Sequence, residues 1–277
     1  MSGTLYIVAT PIGNLDDLAP RARQTLTEVD LIAAEDTRHT GRLLSHIGVK
    51  TPQKALHDHN ESRVVPALIA ALLDGKNVAL VSDAGTPLVS DPGYRLVAEA
   101  HEKKINVSPV PGASAVTAAL SAAGLPTDRF CFEGFAPKKR IARQAWMREL
   151  AVESRTLVFF ESVHRVKESI SDMVAAFGGD RPAFVGRELS KLHEQCVQGS
   201  LADIAEKLRS AAIPEKGEFV IVMSGAREKQ ASAIEVDLLI EELAAVLPAK
   251  QGAAIMARVT GEKKNSIYAR MLALKKE

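Results

Sequence analysis

The first 124 residues alternate two kinds of segment, and this alternation limits the fold more than anything else in the chain. Short apolar runs, TLYIVAT, DLIAAE, NVALVSD and INVSPVP, are separated by amphipathic stretches around Leu18–Val29, Thr37–Ile47, Ser62–Leu73, Tyr94–Lys103 and Ala113–Ala123. Near-continuous apolar runs suit strands whose sheet is covered on both faces, as parallel sheets are. Strand followed by helix, repeated, predicts an α/β fold with a mostly parallel sheet. Each run ends in a segment rich in Gly, Pro, Asp or Ser, and open α/β sheets bind ligands at these carboxyl ends.

A second rhythm begins after the Gly, Pro and Asp of Gly124–Asp128. FCFEGF, TLVFFES, AFVGREL, HEQCVQG and GEFVIVMSG have strand character, and three lie too close together for helical crossovers, which predicts a mixed sheet. From about Ala231 the pattern turns helical: EVDLLIEELAAVL is stopped by Pro248, then come a helix, a turn at Thr260–Gly261 and another helix. The expected organisation is an α/β domain over 1–124, a second over 125–230, and a helical extension over 231–277 resembling a helix–turn–helix. The alternative for the extension is a small helical cap with solvated lysines.

Three loops of the first domain exceed what connectors need. ATPIGNLDDL carries Pro11 and Gly13 in a turn that either binds a ligand or simply turns; it has neither a dinucleotide nor a P-loop pattern. SDAGTPLVSDPGY crowds two Asp, two Gly and two Pro at a strand end, with Asp83 able to accept from a ribose hydroxyl or an ammonium. Asp91 is expected to cap the next helix, with Pro92 at its first position. PVPGASA places Ser114 and Ala115 at a helix start, where free backbone N–H groups favour a polar ligand edge; a tight strand-to-helix turn is the alternative.

Charge and composition narrow the function. Thirty-five basic against thirty-four acidic residues leave a formal net charge of +1, so any polyanion surface must be local. Aromatic residues are 4% of the chain, too few for reading bases mainly by stacking. The densest cationic segment, PKKRIARQAWMR, places Lys138, Lys139, Arg140, Arg143 and Arg148 at helical spacing; Lys263 and Lys264 begin a second basic group with Arg270, Lys275 and Lys276. Trp146 is expected in the core. Cys131 and Cys196 form no CxxC motif and are expected as thiols. His57 and His59 lack further ligands at a familiar spacing, so no metal is expected. No signal-peptide pattern and no apolar run long enough for a membrane span occur, so a cytoplasmic protein without membrane contact is expected.

In their order along the chain, VATPIGNLDDL, AAEDTRHTGRLL, SDAGTPLVSDPGYRLV, PVPGASA, EGFAPKKR, FFESVHRV and VGRELSKLHEQ resemble the tetrapyrrole methylase-like superfamily of S-adenosylmethionine-dependent methyltransferases. They are most similar to the branch that methylates the ribose 2′-hydroxyl of a cytidine in the decoding region of bacterial small-subunit (16S) ribosomal RNA. The resemblance implies two α/β domains with the methyl donor in the cleft between them, a homodimer, and the small ribosomal subunit as partner. It implies donor contacts at Pro11, Gly13, Asp83, Leu88, Val89, Ser114 and Ala115, with Phe160 and Glu161 of the second domain facing the same cleft. Where cobalamin-pathway members carry a GDP-like turn, this chain has SDAGTP.

A ribose hydroxyl is a poor nucleophile, so both partners must be positioned and a proton removed. AAEDTRHTGR offers Glu35, Asp36, Arg38, His39 and Arg42; GRELSK offers Arg187, Glu188 and Lys191. The expected roles are Glu188 or Lys191 in deprotonation, Arg38 and Arg187 in holding phosphate, and Lys138, Lys139, Arg140, Arg143, Lys263 and Lys264 in binding RNA. Bland alternatives are a capped helix start for the first cluster and surface ion pairs for the second. Two other functions fit the same chain: methylation of a small tetrapyrrole-like molecule, and a non-catalytic ribosome assembly factor.

Overall fold

The computed structural model describes residues 2–226 and 233–274, as two compact units divided at Ala226. In the larger unit, β1 (Thr4–Val8), β2 (Leu31–Ala34), β3 (Gln53–Ala55), β4 (Val78–Val81) and β5 (Asn106–Val110) form a wholly parallel sheet in the order β3-β2-β4-β1-β5. Every residue of β4 is buried. One face of the sheet is covered by α1 (Pro20–Glu28) and α2 (Thr37–Ile47), through Leu26, Leu43, Leu44 and Ile47. The other is covered by α3 (Glu61–Leu73) and α4 (Tyr94–Glu102), through Leu68, Leu72 and Leu96. The short strand β3 lies where the sequence pattern shows no apolar run; its three residues, QKA, are all half-buried.

A second sheet follows α5 (Ala115–Ala122). Its strands, β6 (Phe130–Phe135), β7 (Thr156–Ser162), β8 (Pro182–Arg187), β9 (Gln195–Ser200) and β10 (Glu218–Met223), run in the order β6-β7-β10-β8-β9. β6 and β7 are parallel and the remaining pairs antiparallel, so the sheet is mixed. Cys131 and Cys196 lie on its two opposite edge strands and are free thiols. Helices α6 (Arg140–Leu150), α7 (Val166–Phe177) and α8 (Leu201–Arg209) cover one face, and Trp146 packs there edge-to-face on Phe159 at 5.7 Å. The other face receives α5: Val116, Ala119 and Leu120 pack with Val158, Phe184, Val220 and Val222. The two sheets fall on either side of Gly124, inside one compact unit. An apolar cluster of this kind, rather than a linker, joins them.

The smaller unit holds α9 (Ala233–Val246), α10 (Ala249–Thr260) and α11 (Lys264–Leu274). Val236, Ile240, Ala253, Met256, Ile267 and Met271 form its core. Gly252 lets α11 close in, since a Cβ there would lie 2.2 Å from Met271 Cε. Gly261, at φ +74°, ends α10 in the left-handed conformation that glycine favours. The expected boundary between 230 and 231, and Lys275 and Lys276, lie outside the described residues. No helix among the described residues is long and apolar enough to cross a membrane.

Candidate active site

The three unusual loops leave the carboxyl ends of β4, β1 and β5, which are neighbours in the sheet. Thr10 and Gly85 exchange backbone hydrogen bonds of 2.9 and 3.1 Å, clamping the first two loops together. Thr86 Oγ1 donates to the Ala113 carbonyl at 3.1 Å, tying the second loop to the third. At the next strand end, Asp83 N donates to Glu35 Oε2 (3.2 Å) and Asp36 N to Asp83 Oδ1 (3.1 Å). Asp36 then caps α2 by accepting from Arg38 N at 2.8 Å. The loop after β1 also meets the turn after β8: Asn14 N donates to Ser190 Oγ at 3.4 Å, and the Ser190 hydroxyl donates to Asp17. Glycine at 13 permits this approach, because a Cβ would fall 2.4 Å from Lys191 Cγ and 3.0 Å from the Leu189 carbonyl oxygen.

Two cavities open between these loops and the second sheet. The larger, about 370 Å³, is lined mainly by apolar groups, including Val89, Ser114, Ala115, Phe160 and Glu161. Phe135 and Phe160 meet edge-to-face on its wall at 5.6 Å. Gly85, Gly186 and Gly217 also line it, and a Cβ on Gly186 would meet the Leu189 side chain at 2.9 Å. The smaller, about 200 Å³, has a more polar wall that includes Pro11, Gly13, His39, Thr40, Asp83 and Lys191. The cavities share Ile12, Ala84 and Glu218. Four non-glycine residues with positive φ lie in the second loop and in the turn after β8: Leu88 (72°), Ser90 (70°), Glu188 (51°) and Ser190 (66°). Such backbone is held only where the surroundings enforce it, and it clusters at functional sites.

Electrostatics divides the site. Lys191 Nζ sits 2.9 Å from Glu188 Oε1 and 3.0 Å from Glu218 Oε2. Burial alone would lower the Lys191 pKa, but the two carboxylates outweigh it and raise it. Burial would raise that of Glu188; the Lys191 ammonium, the Glu218 amide and Arg187 lower it instead. The opposite holds across the site. Burial pushes Asp91 up to about 6, against a hydrogen bond from Ser82 and helped by the charges of Glu35, Asp83 and Asp58. Glu35 is also raised, by burial first, against the Asp83 backbone hydrogen bond and with the charges of Asp83, Asp58 and Asp36 adding.

Several expected roles change in this geometry. Arg143 is buried, bonding Asp172 at 2.7–2.9 Å, so it cannot join a cationic surface. Arg140, exposed, reaches the same carboxylate at 3.3 Å. Burial opposes ionisation of Asp172, yet Gln144, Arg143 and Arg140 together lower its pKa. Arg187 is buried, and its Nε and Nη1 donate to the Lys216 and His193 carbonyls at 2.6 and 2.9 Å, so it braces the turn after β8 rather than standing on an open cationic surface. Lys191 is a cation held by carboxylates and not a neutral base. Leu88 packs on the core beneath α3 and α4 and lines neither cavity. Glu161 lines the larger cavity, yet its carboxylate accepts from Ser162 N (2.8 Å) and Ser169 Oγ and pairs with Arg165 (2.8 Å), bracing α7. Gly93, not Asp91, precedes α4, and Asp91 instead lines the larger cavity. Arg38 is exposed and paired with Asp36; Lys138, Lys139, Lys263 and Lys264 are exposed. Residue-type patterns cannot show burial of this kind. Asp91 and Thr40 carry no such signal in the sequence, and only the fold brings them to the cavity walls, with Glu35 behind Asp83.

Residues 4–205 match the family described as Tetrapyrrole (Corrin/Porphyrin) Methylases, and residues 230–275 match the RsmI C-terminal HTH domain. The chain is similar in fold to the uroporphyrin-III C-methyltransferase of Thermus thermophilus, with a TM-score of 0.57, 19% identity, and 80% of this chain and 94% of that one covered. Diphthine synthase gives a TM-score of 0.59 at 16% identity over 80% of this chain and 90% of that one. Nearer in sequence is the ribosomal RNA small subunit methyltransferase I of Pseudomonas aeruginosa, 48% identical over 98% of this chain and 97% of the relative. The Haemophilus influenzae protein of the same name is 47% identical over 97% and 96%. Matched by the family model over residues 4–205 and by relatives nearly half identical along almost its whole length, this chain belongs to the S-adenosylmethionine-dependent tetrapyrrole methylase family and, within it, to the ribosomal RNA small subunit methyltransferase I family.

Proposed function

We propose that this protein methylates the ribose 2′-hydroxyl of a cytidine in the decoding region of 16S ribosomal RNA, acting in the cytoplasm as a homodimer on the small ribosomal subunit. The observation that carries the reading is the pair of contiguous cavities, one apolar and one polar, meeting at Ile12, Ala84 and Glu218. Names of the relatives support the substrate class, since they specify small-subunit ribosomal RNA.

The larger cavity fits the methyl donor. Its size falls in the range of small-ligand sites, and its apolar walls and three lining glycines suit close approach to an adenosine. Ser114 and Ala115 present the start of α5, whose first N–H groups have no side-chain cap. Asp91, Val89 and Phe160 complete the wall. When bound, the donor supplies a sulfonium methyl, which needs no metal for transfer. The chain's own work is to bring the hydroxyl in line and take its proton. Asp91 suits proton acceptance better than Glu188, since its pKa of about 6 makes it the stronger base while leaving it mostly ionised near neutrality. Lys191, fixed in charge at the polar cavity, suits a phosphate oxygen.

Surface charge supports RNA as acceptor. Lys138 and Lys139 stand at the start of α6, whose first turn has no acid, while Arg140 is already paired with Asp172. Cations at the positive end of a helix dipole are unfavourable until an anion arrives, so this end suits a phosphate backbone. The test is transfer of labelled methyl to small subunits from cells lacking the enzyme, followed by nuclease mapping. Label confined to one 2′-O-methylcytidine is expected; label on a small molecule but not on the subunit would overturn the reading.

A further inference from the structure

Thr40 has a hydroxyl with nothing to do. It lies in the second turn of α2, is 3% exposed, and lines the polar cavity. Its Oγ1 has no hydrogen-bond partner among the described residues. Buried hydroxyls rarely go unpaired, and a threonine inside a helix has a ready solution in the carbonyl four residues back. Thr25, Thr27 and Thr260 all take it, donating at 2.8, 2.8 and 2.9 Å to Arg21, Arg23 and Met256. Thr40 does not, although its own N–H bonds the Asp36 carbonyl at 3.0 Å. The helix start is also fixed relative to the cavity, because Asp36 N is held by Asp83, itself a cavity-lining residue.

From this we infer that Thr40 is a positioning residue for the acceptor nucleotide, its hydroxyl completing a hydrogen bond when that nucleotide enters the polar cavity. The assignment rests on the reading of the protein as a ribosomal RNA methyltransferase. At about 200 Å³, below the usual range for drug-sized ligands, the cavity suits a single sugar with its phosphate and not a macrocycle. His39, Asp83 and Lys191 share its wall, giving a donor, an acceptor and a cation for such a group. Thr40 is absent from the wall of the apolar cavity, so its effect should fall on the acceptor alone.

The experiment compares the parent, Thr40→Val and Thr40→Ser as full chains. It measures donor Kd, melting temperature, and kcat and KM for methyl transfer to unmodified small subunits. Thr40→Val is nearly isosteric and should keep the donor Kd and a melting temperature at or above the parent's, since it removes an unpaired buried hydroxyl. Its kcat/KM for the subunit should fall about tenfold, the scale of one lost hydrogen bond. Thr40→Ser should restore most of that loss. Parental kcat/KM in Thr40→Val, an equal loss of donor affinity, or no rescue by serine would each overturn the assignment. Unlabelled subunits with the parent protein would instead overturn the functional reading and the assignment with it.

Discussion

Gly13 shows how one absent methyl group can hold a site together. Alanine there would drive its Cβ to 2.4 Å from Lys191 Cγ and 3.0 Å from the Leu189 carbonyl oxygen, parting the first loop from the turn after β8. Overpacking of this kind costs about 1–3 kcal/mol, and a displacement near 1 Å at a reacting centre can cost ~10²-fold in rate. Gly13→Ala is therefore expected to lose more in kcat/KM than in melting temperature, and a parental rate would show that the two loops move freely. Asp91 gives a prediction in pH. Its pKa in the folded protein, about 6, lies above the ordinary 3.8, so the fold holds this proton more tightly than the unfolded chain does. The resulting stabilisation is complete below 3.8 and is lost as the pH rises through about 6. Asp91→Asn cannot ionise, so its melting temperature should equal the parent's near pH 3.5 and exceed it increasingly up to about pH 7. A difference that stays constant with pH would mean that Asp91 titrates as an ordinary carboxyl. In the transfer reaction the same variant should lose more in kcat than in donor Kd.

Helices α6 and α7 are joined by charge as well as by apolar contact. Arg143 and Asp172 are both buried, at 1% and 2% exposure, and removing one partner strands the other. Arg143→Met should cost about 3 kcal/mol, the low end for broken buried pairs, because Arg140 and Gln144 still reach Asp172 at 3.3 and 2.8 Å. Replacing both with Met and Leu should recover much of it, as measured by urea unfolding. A single variant as stable as the parent would mean that the pair is solvated. This pair also marks how far the sequence can be read. Strands such as VALV, buried along their whole length, and α2, bounded by Asp36 and Gly48, are legible because burial and capping act locally on residue type. The antiparallel pairing of β8 with β9 follows from their short connection and is visible in spacing, whereas the insertion of β10 between β7 and β8, after α8, is not. Arg143 and Arg187 are not legible. Their cationic spacing looks the same whether the guanidinium faces water, phosphate or a buried carbonyl, and only the tertiary partners decide. Asp91 fails for a related reason: a local signal for capping, Asp before Pro, is overridden by Gly93 at φ +118°, and the carboxyl is left to the cavity.

At the scale of the whole chain, the division at Ala226 separates the two cavities from the three C-terminal helices. Every residue lining either cavity belongs to the larger unit, and both of its sheets close without a strand from the smaller one. The smaller unit has a core of its own, and Arg270 there pairs with Glu262 and Asp237, leaving Lys263 and Lys264 as exposed cations at the turn between α10 and α11. Donor binding and RNA affinity should therefore come apart on truncation. A chain ending at Ala226 is expected to unfold cooperatively and to keep the parental donor Kd, because it retains every described residue that lines the larger cavity. Its affinity for the small subunit should fall, and fall in a particular way. Each lysine that neutralises a phosphate releases counterions, giving a slope of about −0.7 to −0.9 per contact in log affinity against log salt. If Lys263 and Lys264 each contact one phosphate, Lys263→Ala with Lys264→Ala should flatten that slope by about 1.4 to 1.8 in the full chain, with donor Kd unchanged. The truncated chain should show at least the same flattening. An unaltered slope in both proteins would place the RNA contacts wholly on the larger unit, with Lys138 and Lys139 at the start of α6 as the next residues to replace.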